Sequence, residues 1–278
     1  MPHKTVVAKW LFILSVALAC MQHAAPAPSA ALHAWDTVYS LVKDGGILWA
    51  GNGIGIQRIN LKSGESAQIV ISQAFENKPR RILRSGGSVW IARKYDIARC
   101  AADGTKCQVQ DIRQQGEEIL DAAADDDNAW LLLSGRVMRY DPALRLWQEF
   151  YEFQKTSNRE FRAMASAGNT LWLGEAKGNI CALDKTTARL DCPLPFSRIP
   201  FHKWNGPLVA TDTHLWFMHA GTLLCYSIKN NSVHTYRLPA RANDPGVINS
   251  ILAGSDGAIW YSTHTTVGRF DPHQEKWT

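Results

Sequence analysis

The sequence predicts an all-β fold: a six-bladed β-propeller with four antiparallel strands per blade. Three observations carry the prediction. A tryptophan behind an apolar residue recurs as Leu48-Trp49, Val89-Trp90, Ala129-Trp130, Leu171-Trp172, Leu215-Trp216 and Ile259-Trp260, at intervals of 41, 40, 42, 44 and 44 residues. A fixed period in that range, built from short strands, marks propeller blades. Glycine and aspartate turns punctuate every period at matching places, where the chain needs positive φ or a local side-chain acceptor. Six such repeats fill residues 36–278 and leave no room for a seventh.

Blade one sets the grammar. Residues 37–42 form the innermost strand, Asp44-Gly45-Gly46 the turn, 47–50 the second strand, 56–61 the third and 67–71 the fourth. Blade two repeats this from Arg80, turning at Ser85-Gly86-Gly87. Blade three starts near Ile119 and turns at Asp125-Asp126-Asp127-Asn128. Blade four starts at Phe161 and turns at Ala167-Gly168-Asn169. Blade five starts near Pro207 and turns at Thr211-Asp212-Thr213. Blade six starts at Val247 and turns at Ser255-Asp256-Gly257. Each tryptophan falls inside a second strand. There a large ring buries much apolar area between blades, which explains the period without any chemistry.

Each terminal blade has its own four strands in sequence. The ring is therefore expected to close by packing of blade six on blade one. Ala34-Trp35-Asp36 is the only candidate for a shared outer strand.

The first 34 residues read as export and tether. Lys4 and Lys9 precede a ten-residue apolar run, residues 10–19. A helix needs about 20 residues to span a bilayer, so this run reads as a signal peptide over 1–19. Ala17-Leu18-Ala19 satisfies the small-x-small pattern for cleavage before Cys20. Cys20 is then a candidate for lipidation and a membrane tether. Simple cleavage there, or a cut within the Ala/Pro-rich stretch 24–34, are the other readings. Residues 20–34 have small side chains and no apolar period, and read as a flexible tether. Residues 35–278 make one domain, a size closed β folds often reach. No second hydrophobic run suggests a membrane span. The expected location is exported, in the periplasm or tethered at the outer membrane.

The formal net charge is +5, and +3 once Lys4 and Lys9 leave with the leader. The cations are scattered, so no nucleic-acid partner is expected. Cys100 and Cys107 flank the hairpin between third and fourth strands of blade two. Tyr140 and Trp147 in blade three, and Phe270 and Trp277 in blade six, occupy the same places at the same spacing of seven. A cross-strand aromatic pair in two blades thus becomes a cysteine pair in a third. Cys181 and Cys192 sit two residues further from their turn on each strand, and so on the same face. Opposed Cβ atoms are near disulfide reach, and export permits oxidation. The expectation is Cys100–Cys107 and Cys181–Cys192 disulfides, against four buried thiols. Cys225 is left to pack as a small apolar residue.

Several motifs are weighed and set aside. Gly51-Asn52-Gly53-Ile54-Gly55 opens no helix, so it reads as a turn rather than a phosphate cradle. Asp125, Asp126 and Asp127 lack a calcium-loop glycine and distal glutamate and read as a solvated turn. No histidines show zinc spacing, and no nucleophile elbow is present. No metal or cofactor is expected.

The candidate site is the face carrying the long connections, 150–160 and 193–205, together with the loops between second and third strands. Aligning blades on the apolar residue before the first turn puts Tyr39, Arg80, Glu118, Arg162, Gly206 and Asn249 at the channel mouth. Loop residues expected nearby are Arg81, Arg93, Lys94, Glu117, Arg159, Glu175, His202, Lys203, Trp204, His219 and His264. This mixed polar set suits a polar or anionic small-molecule or protein ligand. The alternative is a hydrolase or lyase using His202, His219 or His264, with or without a metal.

Residues 256–272, 168–184 and 41–60 carry the pattern Asp-x-x-Gly, x-Leu-Trp-x-Gly, Gly-x-x-Arg-Tyr/Phe-Asp in whole or part. They resemble the two-component-regulator propeller repeat. That resemblance implies the propeller fold and a sensor or interaction role exerted through a partner. Blade six, with Asp256-Gly257-x-x-Trp260 and Gly268-Arg269-Phe270-Asp271-Pro272, is also similar to repeats of virginiamycin B lyase. That family carries a glutamate where this chain has Tyr261-Ser262-Thr263-His264, so no catalytic residue is carried over.

Overall fold

The computed structural model describes residues 38–52, 55–69, 71, 78–112, 117–154, 159–194, 206–219, 222–237, 248–254, 256–262 and 267–278. Blade one holds β1 (Val38–Asp44), β2 (Ile47–Asn52), β3 (Gly55–Asn60) and β4 (Ser66–Ile69). Blade two holds β5 (Arg81–Ser85), β6 (Ser88–Ala92), β7 (Asp96–Ala101) and β8 (Gln108–Asp111). Blade three holds β9 (Ile119–Ala124), β10 (Ala129–Leu133), β11 (Arg136–Asp141) and β12 (Leu146–Glu152). Blade four holds β13 (Phe161–Ala167), β14 (Thr170–Glu175), β15 (Ile180–Asp184) and β16 (Leu190–Leu194). Blade five holds β17 (Leu208–Ala210), β18 (His214–His219), β19 (Thr222–Ser227) and β20 (Ser232–Arg237). Blade six holds β21 (Ser250–Ala253), β22 (Ile259–Ser262), β23 (Val267–Asp271) and β24 (Lys276–Trp277).

Every sheet is antiparallel and built from consecutive strands, giving six four-stranded blades. The innermost strands β1, β5, β9, β13, β17 and β21 pack each on the next, and β21 packs back on β1. The ring is therefore closed. Each terminal blade uses its own segment, and the alternative strand from residues 30–36 lies outside the described residues.

The tryptophans sit in the second strands, as their period requires, and pack across blade boundaries. Trp49 packs with Ile82, Val89 and Ile91 of blade two. Trp90 packs with Leu131, Tyr140 and Trp147 of blade three. Trp130 packs with Phe161, Met164 and Leu173 of blade four. Trp172 packs with Leu208, Leu215 and Phe217 of blade five, and Trp216 with Ile251, Ile259 and Phe270 of blade six. Trp260 is only half-buried and belongs to none of these clusters.

The Arg-aromatic-Asp signature has a physical reading. The arginine pairs directly across from the tryptophan, as Trp130↔Arg139 and Trp260↔Arg269, and blade two keeps the arginine alone as Trp90↔Arg99. Arg99 lies 5.3 Å from the Trp90 ring centroid and Arg139 lies 5.9 Å from that of Trp130, within cation–π range. The aspartate accepts from the next turn: Asp141 Oδ1 from the Ala143 amide at 2.9 Å, and Asp271 Oδ1 from the His273 amide at 3.0 Å. The aromatic pairs Tyr140↔Trp147 and Phe270↔Trp277 face one another across the outer hairpin. Blade two has the Cys100–Cys107 disulfide at that position, and blade four has Cys181–Cys192 two residues further from its turn. Cys225 is a buried free thiol whose burial pushes its pKa up to about 12.

Asp125 departs from the solvated turn expected of it. It is half-buried, and the nearly buried Lys185 ammonium reaches it at 2.8 Å from blade four. Lys185 Nζ also donates to Ser166 Oγ at 2.7 Å and to the Gly168 carbonyl at 2.7 Å. The Asn128 amide adds a hydrogen bond to Asp125 at 2.8 Å. Burial works to raise the Asp125 pKa, but the Lys185 and Asn128 hydrogen bonds outweigh it and hold the carboxyl below its ordinary range.

Candidate functional site

The candidate face is where the innermost strands begin. The strand starts of blades one, three and four share a β-bulge, and those of blades two and six show a matching doubled pairing. Tyr39 falls between the pairs Val38↔Asn52 and Ser40↔Gly51, Leu120 between Ile119↔Leu133 and Asp121↔Leu132, and Arg162 between Phe161↔Glu175 and Ala163↔Gly174. In blade two the Arg80 amide donates to the Ala92 carbonyl at 2.9 Å, although Ala92 is already paired with Arg81. In blade six the Asn249 amide likewise donates to Ser262 at 2.7 Å beside the Ser250↔Ser262 pair. A bulge re-aims one side chain and recurs beside functional sites. The matching residue in blade three is Leu120. Leu120 therefore stands where Glu118 was expected, two residues along: the ladder puts the small Ala122 opposite Leu131, where blades one and four have Leu41 and Met164, and an alignment on apolar residues settles on Leu120 instead.

Glu118 is nonetheless at the mouth. Its carboxylate takes Arg80 Nη2 at 3.4 Å and Lys94 Nζ at 3.6 Å, and all three side chains are about one-third exposed, at 31–33%. Arg80 Nη1 also donates to the Ile119 carbonyl. Two cations thus share one carboxylate in the groove between blades two and three. Glu117 is engaged separately, with Arg136 Nε at 2.9 Å. Arg162 is exposed and ion-paired with exposed Glu160. Lys78 covers the Tyr39 ring at 3.8 Å.

Two of the expected loop residues lie beneath the face. Arg93 and Glu175 are buried, like Asn52, and all three stand three residues past a repeat tryptophan. Each braces its own tight turn. Asn52 Oδ1 accepts the Gly55 amide at 3.0 Å, Arg93 pairs with Asp96, and Glu175 accepts from Asn179. One Arg93 nitrogen, Nη2, is buried without a hydrogen-bond partner.

Arg81 does something the sequence did not suggest. It leaves innermost strand β5 and meets Asp121 of β9 with Nε–Oδ1 at 2.9 Å and Nη2–Oδ2 at 3.2 Å. Nη2 also donates to the Leu208 carbonyl of β17 at 3.0 Å. Blades two and five stand opposite one another in a ring of six, so the guanidinium crosses the channel. Asp121 Oδ2 further accepts the Met164 amide of β13 at 2.8 Å. The brace joins four blades. Small residues at the matching inner positions, Ser40, Ala163 and Ser250, make room for it. The one signal for Asp121 was a lone carboxylate inside the apolar run Ile119–Ala124.

His202, Lys203, Trp204 and His264, with Cys20, lie outside the described residues. His219 ends β18 and pairs with Thr222, but its side chain is outside the described set. Among the described residues, no three His, Cys, Asp or Glu side chains cluster as a metal site.

No family model matches the chain. A search of curated proteins returns no match. Solved structures do match. The extracellular domain of the hybrid two component system BT3049 from B. thetaiotaomicron aligns with a TM-score of 0.65 and 17% identity, over 90% of this chain and 35% of that one. That of BT4673 from the same organism aligns at 0.51 and 15%, over 91% of this chain and 42% of that one. YCF48 bound to D1 peptide aligns at 0.59 and 16%, over 86% and 79%. The chain thus spans less than half the length of the two-component domains it matches. At these identities the likeness establishes the propeller fold, in agreement with the two-component-type repeats read in the sequence.

Proposed function

We propose that this chain is an extracytoplasmic binding propeller that takes an anionic ligand, or an acidic segment of a partner protein, on its long-connection face. The observation that carries the reading is the groove between blades two and three. There Arg80 and Lys94, each about one-third exposed, both pair with Glu118. Two cations beside a bulged strand start, in a partly desolvated setting between two blades, attract anions more strongly than fully solvated ones do. One structural neighbour is bound to a peptide, a ligand class that fits such a groove. The two disulfides and the extracellular neighbours support an oxidising compartment. The finer placement, periplasmic or tethered at the outer membrane through lipidated Cys20, is tested by mass spectrometry of the mature protein. A start at Ala30 or Trp35 would end the lipoprotein reading.

The binding test uses a fluorescent acidic peptide, such as hexaglutamate, and the full mature chain. Lys94→Ala and Arg80→Ala are each expected to weaken binding by about three- to tenfold, the scale of one partly exposed charge contact. Binding should weaken further with added salt. Arg162→Ala reports whether the site extends to blade four. Affinity unchanged in both Arg80→Ala and Lys94→Ala would move the site elsewhere.

A further inference from the structure

We propose that Cys181–Cys192 is an exchangeable disulfide, a covalent reaction site for an external thiol, whereas Cys100–Cys107 is a fixed cross-link. The two bonds join equivalent strands but stand in different electrostatic settings. Arg159, on the connection leading into blade four, brings Nη1 into contact with Cys192 Sγ and within 3.6 Å of Cys181 Sγ. Its side chain is exposed and, unlike the other arginines of this face, rests on sulfur. In blade two, Cys107 Sγ lies 3.8 Å from the Gly104 carbonyl oxygen, an electron-rich neighbour that disfavours negative charge on sulfur.

The bonds also differ in position. Cys100 stands opposite Val89, near the turn between the outer strands. Cys181 stands opposite Leu173, two residues further along, toward the candidate binding face. Cys192 lies in a ladder irregularity between the pairs Ile180↔Leu194 and Ala182↔Asp191. It is half-buried, while Cys181 is fully buried. An incoming thiolate therefore has Cys192 as its accessible target.

The exchange balances as follows. An external thiolate attacks Cys192 Sγ and forms a new S–S bond to it. The Cys181–Cys192 bond breaks, and its electron pair leaves on Cys181 Sγ as a thiolate, 3.6 Å from the guanidinium. With a dithiol reductant, the second thiol attacks its partner sulfur in the mixed disulfide and expels Cys192 as a thiolate against the same guanidinium. The protein gains two electrons, the dithiol becomes a disulfide, and its two protons pass to solvent or to the new thiolates. A neighbouring cation lowers a thiol's pKa, and a lower leaving-group pKa speeds its departure. Both departures are assisted by one side chain. Opening the bond leaves β16 held by its ladder pairing with β15 and by the packing of Leu190.

The folded full chain is treated with graded dithiothreitol, quenched at timed intervals with iodoacetamide, and mapped by peptide mass. Cys181–Cys192 is expected to open about tenfold faster than Cys100–Cys107. Arg159→Met should remove most of that advantage without altering Cys100–Cys107, and Arg159→Lys should restore part of it. In a Cys181→Ser variant, the alkylation midpoint of Cys192 should lie below the ordinary thiol value of about 8.5 and rise when Arg159→Met is added. Equal opening rates for the two bonds, or an Arg159→Met rate equal to wild type, would overturn the assignment.

Discussion

Replacing Asp121 with Ala tests whether the ring is braced across its channel. The substitution removes the counter-charge of Arg81, whose side chain and that of Asp121 are only 13% and 11% exposed. It also strips the Met164 amide, held at 2.8 Å, and the Ala122 amide, held at 2.8 Å, of their acceptor. Breaking a buried pair from one side costs about 3–5 kcal/mol, and each orphaned buried donor about 1–3 kcal/mol. These costs overlap, because relaxation and water entry relieve them together. An expected loss of about 3–4 kcal/mol follows. It corresponds to roughly 6–16 °C in Tm for a domain of this size. The assay is equilibrium urea unfolding of the mature chain, with Glu160→Ala as the control. That control breaks an exposed pair and is expected to cost less than about 1 kcal/mol. The double variant Arg81→Met/Asp121→Leu replaces the pair by apolar groups of similar size and should recover the part of the loss due to the unpaired Arg81 charge, while the Met164 and Ala122 amides stay without their acceptor. An Asp121→Ala cost below about 1 kcal/mol, with no recovery in the double variant, would refute the brace.

Three further outcomes are expected. Trp130→Ala should cost about 3–5 kcal/mol, since Trp130 fills the groove between blades three and four, whereas half-buried Trp260→Ala should cost less than half as much in the same unfolding assay. Gly104→Val should destabilise by about 2 kcal/mol or more, because Gly104 has φ +84° and a Cβ there would lie 2.5 Å from Ile69 Cδ1 and 3.1 Å from Trp49 Cη2. Asp125 has its folded pKa depressed, so its contribution is fully present above its unfolded value and is lost as pH falls through the folded one. Asp125→Asn should therefore lower stability at pH 7 and flatten the fall in Tm below about pH 4, measured by thermal unfolding across pH 2–7.

Much of the fold was legible because propeller physics repeats. Five of the six repeat tryptophans fill an interblade groove, and turn acceptors close the hairpins, so the sequence carries both at a fixed period. The cysteine pairs were legible for the same reason: Tyr140↔Trp147 and Phe270↔Trp277 supplied the template for Cys100 and Cys107. The site was less legible because it depends on departures from the repeat. The bulge at Tyr39, Leu120 and Arg162 adds a residue that no composition signal marks, and in blade three the register residue is the small Ala122, so an alignment on apolar residues settles on Leu120 and places Glu118 two residues off. Arg93 and Glu175 look like surface charges, yet they brace turns from beneath. Arg81 and Asp121 are far apart in sequence, and only the closed ring brings them together. The Arg159 contact with sulfur likewise joins a connection to two strands, a relation that periodicity does not encode.

The channel brace and the interblade clusters together explain how the ring holds where, among the described residues, no strand is shared between its ends. Five interblade grooves contain a tryptophan cluster. Among the described residues, the groove between blades six and one does not, and its tryptophan, Trp260, is half-buried. Closure there rests on β21 packing against β1. In the same blade Trp277 lies 4.3 Å from the Phe270 ring and 5.3 Å from that of Tyr261, which firms up blade six itself rather than the seam. The Arg81–Asp121 brace spans blades two to five, the arc away from that seam. Local opening should therefore begin at the seam. A rigid arc hinged at one weaker junction confines breathing to blades six and one and spares the groove of Arg80, Lys94 and Glu118 in blades two and three. Hydrogen exchange provides the check: amides of β1 and β21 should exchange at lower opening free energy than those of β9 and β13. Equal protection around the ring would mean that the seam is as strong as the braced arc, and that closure draws on contacts beyond these strands.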